Sequence, residues 1–224
     1  MRPALPIILS FTGGYVDTAG FLALGGLFAA HVTGNFVTLG AALTYGTSGI
    51  IAKLLALPVF CVSIIVLRYL VDRIGASDSV SLRAMLIAKS AFLIAGAVSA
   101  IYFAPFAHPD SAPLVLTGML LVIAMAIQNA AHRIHLGSAP PSTLMTGTTT
   151  QIMIDIGDIL SGVPAESKAV LHGRLTRMAL AVAGFAAGCG AAALLFILFK
   201  MWCFVLPPLL GISSALLVVS EPKT

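Results

Sequence analysis

Asp17 is the only acidic side chain before Asp72, and it sits in the middle of a long apolar run. An aspartate at the centre of a membrane helix costs about 2.5–3.5 kcal/mol on insertion scales, so the position needs a use or a partner. As a use, the carboxylate offers a proton or cation carrier or a contact for a polar solute. As a fixture, it fastens its helix to neighbouring polar groups. Asn129, with Gln128 beside it, occupies a matching place 112 residues later, and amides supply donors and acceptors to a ligand or to an adjacent helix. Thr33-Gly34-Asn35 recurs as Thr146-Gly147-Thr148, displaced by 113 residues. In each triplet the Thr hydroxyl is suited to cap a helix start, and the Gly admits a close backbone approach. His31, just ahead of the first triplet, is a candidate proton gate because imidazole changes charge readily.

These candidates are embedded in a chain of 224 residues that is 59% hydrophobic and only 9% charged, which excludes an ordinary water-soluble domain and leaves no room for a separate catalytic one. Its partner is the lipid bilayer. Apolar segments of spanning length cover 4–30, 49–73, 82–105, 112–134, 169–199 and 201–219, each too continuous to be a barrel strand. The expected fold is therefore an all-α integral membrane protein with six transmembrane helices. Two shorter stretches, 33–46 and 143–162, are rich in Thr and Gly and read as re-entrant or half-helices.

The cations orient this arrangement. If both short stretches dip and return, Arg2, Arg68, Arg73, Arg83, Arg133, Lys168, Arg174, Arg177 and Lys223 fall on one side, with Lys53 and Lys200 elsewhere. The positive-inside bias then places both termini in the cytoplasm. Scattered singly, the 12 Lys and Arg residues make no stripe for nucleic acid.

The two halves, 1–111 and 112–224, each hold three spans and one short segment. Because three is odd, the second copy sits upside down relative to the first, an inverted-topology repeat of the kind transporters use. Helices that start inside the membrane point their positive dipole ends at the protein centre, and two converging ends favour an anionic or polar solute.

GGYVDTAGFLALGGLFAAHVTGN in the first half and AIQNAAHRIHLGSAPPSTLMTGTTTQI in the second resemble the YoaK-like family of bacterial integral membrane proteins, a domain of unknown function. The resemblance covers essentially the whole chain. Thr18 stands where the family carries Ala, and His31-Val32 where Asn-Met is commoner. What the resemblance implies is a helical membrane fold in the bacterial inner membrane, with no substrate attached to it.

Other residues carry plainer readings. Asp155 and Asp158 share one face of the second short helix and are expected either to draw a cation to the cytoplasmic mouth or, the preferred reading, to lock onto Arg174 or Arg177. Lys89 and Arg174 are expected to snorkel, and His132, Arg133 and His135 to anchor a span at the interface. The ridge Gly184, Gly188, Ala192 predicts close helix packing, within the protomer or across a homodimer. Cys61, Cys189 and Cys203 show neither disulfide nor metal spacing. With no HExxH, GxSxG or Walker pattern, neither enzyme chemistry nor a cofactor is expected. The leading function is a transporter or channel for a small anionic or polar solute, proton-coupled through Asp17; the alternatives are an intramembrane enzyme and a non-transporting scaffold.

Overall fold

The computed structural model describes residues 4–46, 49–75, 77–162 and 164–219. Arg2 and Lys223, which entered the orientation of the termini, lie outside them. The described residues fold into helices α1 (Ala4–Ala23), α2 (Gly34–Tyr45), α3 (Ile50–Ile74), α4 (Asp78–Phe103), α5 (Ala112–His135), α6 (Met145–Leu160), α7 (Ala165–Phe199) and α8 (Leu206–Val219), with a 3₁₀ helix over Lys200–Val205 ahead of α8.

Among the described residues, five helical stretches are long and apolar enough to cross a membrane: α1, α3, α4, α5 and the run that begins at Lys168. The expected sixth, 201–219, is divided between the 3₁₀ helix and the 14-residue α8, which alone reaches about 21 Å of a hydrocarbon core about 30 Å thick. The break comes at Lys200, where φ is 50°. There the chain turns back, so that Gly211 of α8 lies against Ser90 of α4.

The expected first span, 4–30, is also shorter than the apolar run. α1 stops at Ala23 and the chain reverses through Gly25 and Gly26, at φ 66° and 81°, conformations open to glycine and costly for other residues. Leu24, Leu27, Ala29 and Ala30 are buried as the chain runs back along α1. Their apolar character serves packing there and does not extend the helix.

α1 is largely buried and packs chiefly on α7. It runs parallel to α7, and the two backbones touch: a Cβ on Gly188 would strike the Phe11 carbonyl oxygen, and one on Gly14 the Phe185 carbonyl oxygen. The small-residue ridge of α7 is thus used inside the protomer. α4 and α5 run antiparallel, joined by the Ser99 and Thr117 hydroxyls at 2.6 Å and, at the other end, by His135 and Ser81 at 3.1 Å. α3 and α5 begin at the same end. Asp110, just before α5, accepts the N–H groups of Ile51 and Gly49 at 2.9 Å each, and these two bonds hold its carboxyl below the usual range.

α2 and α6, of 12 and 16 residues, reach only about 18 and 24 Å and cannot cross alone. α2 packs on α3 and α6 on α7.

Lys89 departs from its expectation. It is 0% exposed and its Nζ has no hydrogen-bond partner. It stands near the middle of α4, on the same buried face as Leu86 and Leu93, too far from either end for its stem to carry the ammonium out.

Candidate functional site

Two segments are inserted beside the middle of the bundle, one ahead of each short helix. The first is residues 28–33. The N–H groups of Ala29 and Ala30 donate to Asp17 Oδ1 at 2.8 and 2.6 Å, and the His31 N–H donates to Oδ2 at 3.0 Å. One carboxylate therefore satisfies three consecutive peptide groups of the non-helical segment ahead of α2. Asn35 completes the hold: its amide accepts from the Phe28 N–H at 2.9 Å and donates to the Phe28 carbonyl at 2.7 Å. The turn into α2 closes with Gly34 N–H to His31 O at 2.9 Å, and a Cβ on Gly34 would meet the rings of His31 and Phe28 at 3.1 Å.

The second inserted segment is 142–144. The Thr143 hydroxyl donates to Asn129 Oδ1 at 2.6 Å, and Gln128 Nε2 donates to Leu9 O at 2.8 Å and to Ser142 Oγ at 3.2 Å. Asn129 is steadied by its own Nδ2, which donates to Met125 O at 2.9 Å. Thr143 follows His31 by the same 112 residues that separate Asn129 from Asp17. Each segment is thus bound by the side chain at the corresponding place on the preceding long helix.

The segments meet at one cavity of about 670 Å³ between α3 and α5. Its inner wall is Ala30, His31, Val32 and Thr33 from the first insertion with Thr143 and Leu144 from the second, and Asn129 lies between them. Thr33 is the residue ahead of α2 and Leu144 the residue ahead of α6, so both short helices start at this space. Leu57, Phe60, Ile64 and Ile65 of α3 form an apolar wall; Arg68 and Arg133 stand at the end where α3 and α5 finish.

Of the residues singled out by sequence, His31, Thr33 and Asn129 line the cavity. Asp17, 4% exposed, stands behind it with its carboxylate occupied. Gln128 and Asn35 are buried fasteners. The capping expectation fails at both Thr-Gly pairs. Thr33 makes no side-chain cap bond, and α6 starts at Met145, which puts Thr146 and Gly147 inside the helix on an exposed face. Thr148 is buried and turns its hydroxyl to its own helix, onto Leu144 O at 3.0 Å. The hydroxyl that matters in the second half is Thr143, whose signal in the sequence is the 112-residue offset from His31.

Asp155 is held by Arg174, with Nε at 2.7 Å and Nη2 on the second oxygen, and by Gln151 at 2.8 Å. The expected lock between α6 and α7 is therefore present, made by Asp155 and not by Asp158, which is exposed.

A family model described as a protein of unknown function (DUF1275) matches residues 5–217 of the chain. The UPF0700 transmembrane protein YoaK of Bacillus subtilis (strain 168) is 31% identical over 157 residues, which cover 69% of this chain and 67% of that protein. No solved structure matches.

Proposed function

Since the chain belongs to the DUF1275 family and is a multi-pass membrane protein related to the transmembrane protein YoaK, we propose that it is a transporter for a small anionic or polar solute. The observation that carries this reading is the single cavity at which both short helices begin, with Thr33 and Leu144 in its wall. Both helix starts border this space, and a helix start favours negative charge near it. His31, Thr33, Asn129 and Thr143 supply the polar contacts that orient a solute.

The proposed architecture is two inverted repeats, 1–111 and 112–224, with α2 and α6 entering from opposite faces and Lys200–Val219 making the sixth crossing. Supporting it, α1 runs parallel to α7 and α4 antiparallel to α5, as that arrangement requires. The cationic end bearing Arg68, Arg133 and Arg174 would then face the cytoplasm, in the inner membrane.

In this mechanism Asp17 is a positioning residue. Its ionised carboxylate holds the 29–31 peptide groups against the cavity. A proton on that carboxylate removes part of the acceptor strength and loosens the wall, which couples solute passage to proton movement.

The test is anion flux into proteoliposomes at pH 5.5 and 7.5, with wild type beside Thr33→Val and Asn129→Leu. Saturable flux that both substitutions reduce at least tenfold, with folding intact, supports the reading. A folded wild type that moves no member of an anion and neutral-solute panel at either pH overturns it.

A further inference from the structure

The two sides of the cavity differ in chemistry, and the difference narrows the solute. On α3, Leu57, Phe60, Ile64 and Ile65 offer hydrocarbon alone. The remaining wall is mixed: Asn129, Thr143, Thr33 and His31 offer donors and acceptors among apolar neighbours such as Ala130, Ile134 and Leu144. A fully hydrated inorganic anion would leave the α3 side without a complement, because an apolar wall gains only when apolar surface covers it.

Charge is concentrated at one end. Arg68 lies in the last third of α3 and Arg133 in the last turn of α5, and the two helices begin at the same end through Asp110. Their guanidinium groups therefore reach the cavity from the same end. Arg68 is shared with Asp72 at 2.9 Å, both side chains 56% exposed, a solvent-exposed pair of little strength. Among the described residues, Arg133 has no ion-pair partner. Guanidinium forks match a carboxylate in shape and charge.

The opening is also informative. Ile65 is 67% exposed and Leu144 47% exposed, although both line the cavity. The space therefore opens sideways past apolar side chains, on a surface that in a membrane protein meets lipid chains. A volume of about 670 Å³ falls within the usual range for sites that enclose an organic molecule.

We propose that the cavity binds an organic carboxylate with an apolar, ring-sized body, whose carboxylate is taken by Arg68 and Arg133 and whose body lies against the Leu57–Phe60–Ile64 face of α3. This rests on the reading of the cavity as the solute site and specifies its substrate class.

The experiment measures thermal stability of the full chain in nanodiscs of neutral lipid with three probes: 2-naphthylacetate, its uncharged counterpart 2-naphthylethanol, and acetate. The expected result is stabilisation by 2-naphthylacetate alone. Its apparent affinity should fall about tenfold or more in the Arg68→Gln/Arg133→Gln double variant, and recover in part in the double Lys variant. Phe60→Ala should weaken 2-naphthylacetate through the apolar wall while leaving both arginines in place.

Acetate acting as strongly as 2-naphthylacetate would overturn the substrate class and leave a small-anion site standing. Equal stabilisation by the alcohol, or an undiminished response in the folded double Gln variant, would overturn the role of the arginines. Stabilisation by phosphatidylglycerol placed in the disc, lost in the double Gln variant while 2-naphthylacetate does nothing, would make the cavity a lipid site and sink the proposal. Silence of all three probes together with absent flux would remove the transporter reading as well.

Discussion

The two inserted segments are held by different chemistry. Residues 29–31 are bound through their peptide N–H groups by the Asp17 carboxylate, whereas 142–143 are bound through their hydroxyls by the amides of Gln128 and Asn129. The first clasp is a single carboxyl group holding three peptide N–H groups, buried and away from the cavity. The second is neutral, and one of its members, Asn129, also faces the cavity. Matching positions have thus divided two tasks, with the firm clasp fixing one side of the space and the weaker one exposed to whatever enters it.

The largest test of this contrast is truncation of each clasp. Asp17→Ala leaves several buried N–H groups without an acceptor and is expected to cost about 3–5 kcal/mol. Asn129→Ala, which strands one hydroxyl able to turn elsewhere, should cost about 1 kcal/mol. Equilibrium unfolding in mixed micelles measures both, and equal losses would dissolve the distinction.

A sharper version separates backbone from side chain. Thr143→Val removes the donating hydroxyl and should cost about 1 kcal/mol. His31→Gln keeps the N–H that Asp17 binds and should change stability by less than about 0.5 kcal/mol, measured the same way. A large loss in His31→Gln would mean that the imidazole itself holds the first segment.

The smallest effect is expected at Asp110, which binds the N–H groups of Gly49 and Ile51 as Asp17 binds its own, but in a partly open turn. Those bonds lower its carboxyl in the folded state, so its contribution is present above the unfolded value of about 3.9 and is lost as pH falls through the lower folded value. Acid titration of the melting temperature below about pH 4 should therefore be shallower in Asp110→Asn than in wild type. A slope as steep in the variant would assign the acid sensitivity to other carboxylates.

Much of this arrangement could be read from residue types. The long helices follow from unbroken apolar runs, and Asp17 announces itself as a lone acid among hydrocarbons. Its partners do not, because peptide N–H groups are the same in every residue. The end of α1 was hidden for a related reason: Leu24, Leu27, Ala29 and Ala30 are as apolar as the helix before them, and only Gly25-Gly26 marks the reversal. Lys200 conceals the break ahead of α8 in the same way, inside an apolar run whose one other signal is Pro207-Pro208. Thr146 and Gly147 misled because composition does not say which face of a helix looks inward. Lys89 misled because reach depends on distance along α4, not on the length of the stem alone.

The grip of Asp17 on position 31 has a consequence for how such a protein can diversify. A bond to a peptide nitrogen survives every side chain except proline, which lacks the N–H. The residue that projects into the cavity at this point can therefore change while the fold stays anchored beneath it. Selection for a different cargo can begin at position 31 without first having to rescue a damaged scaffold.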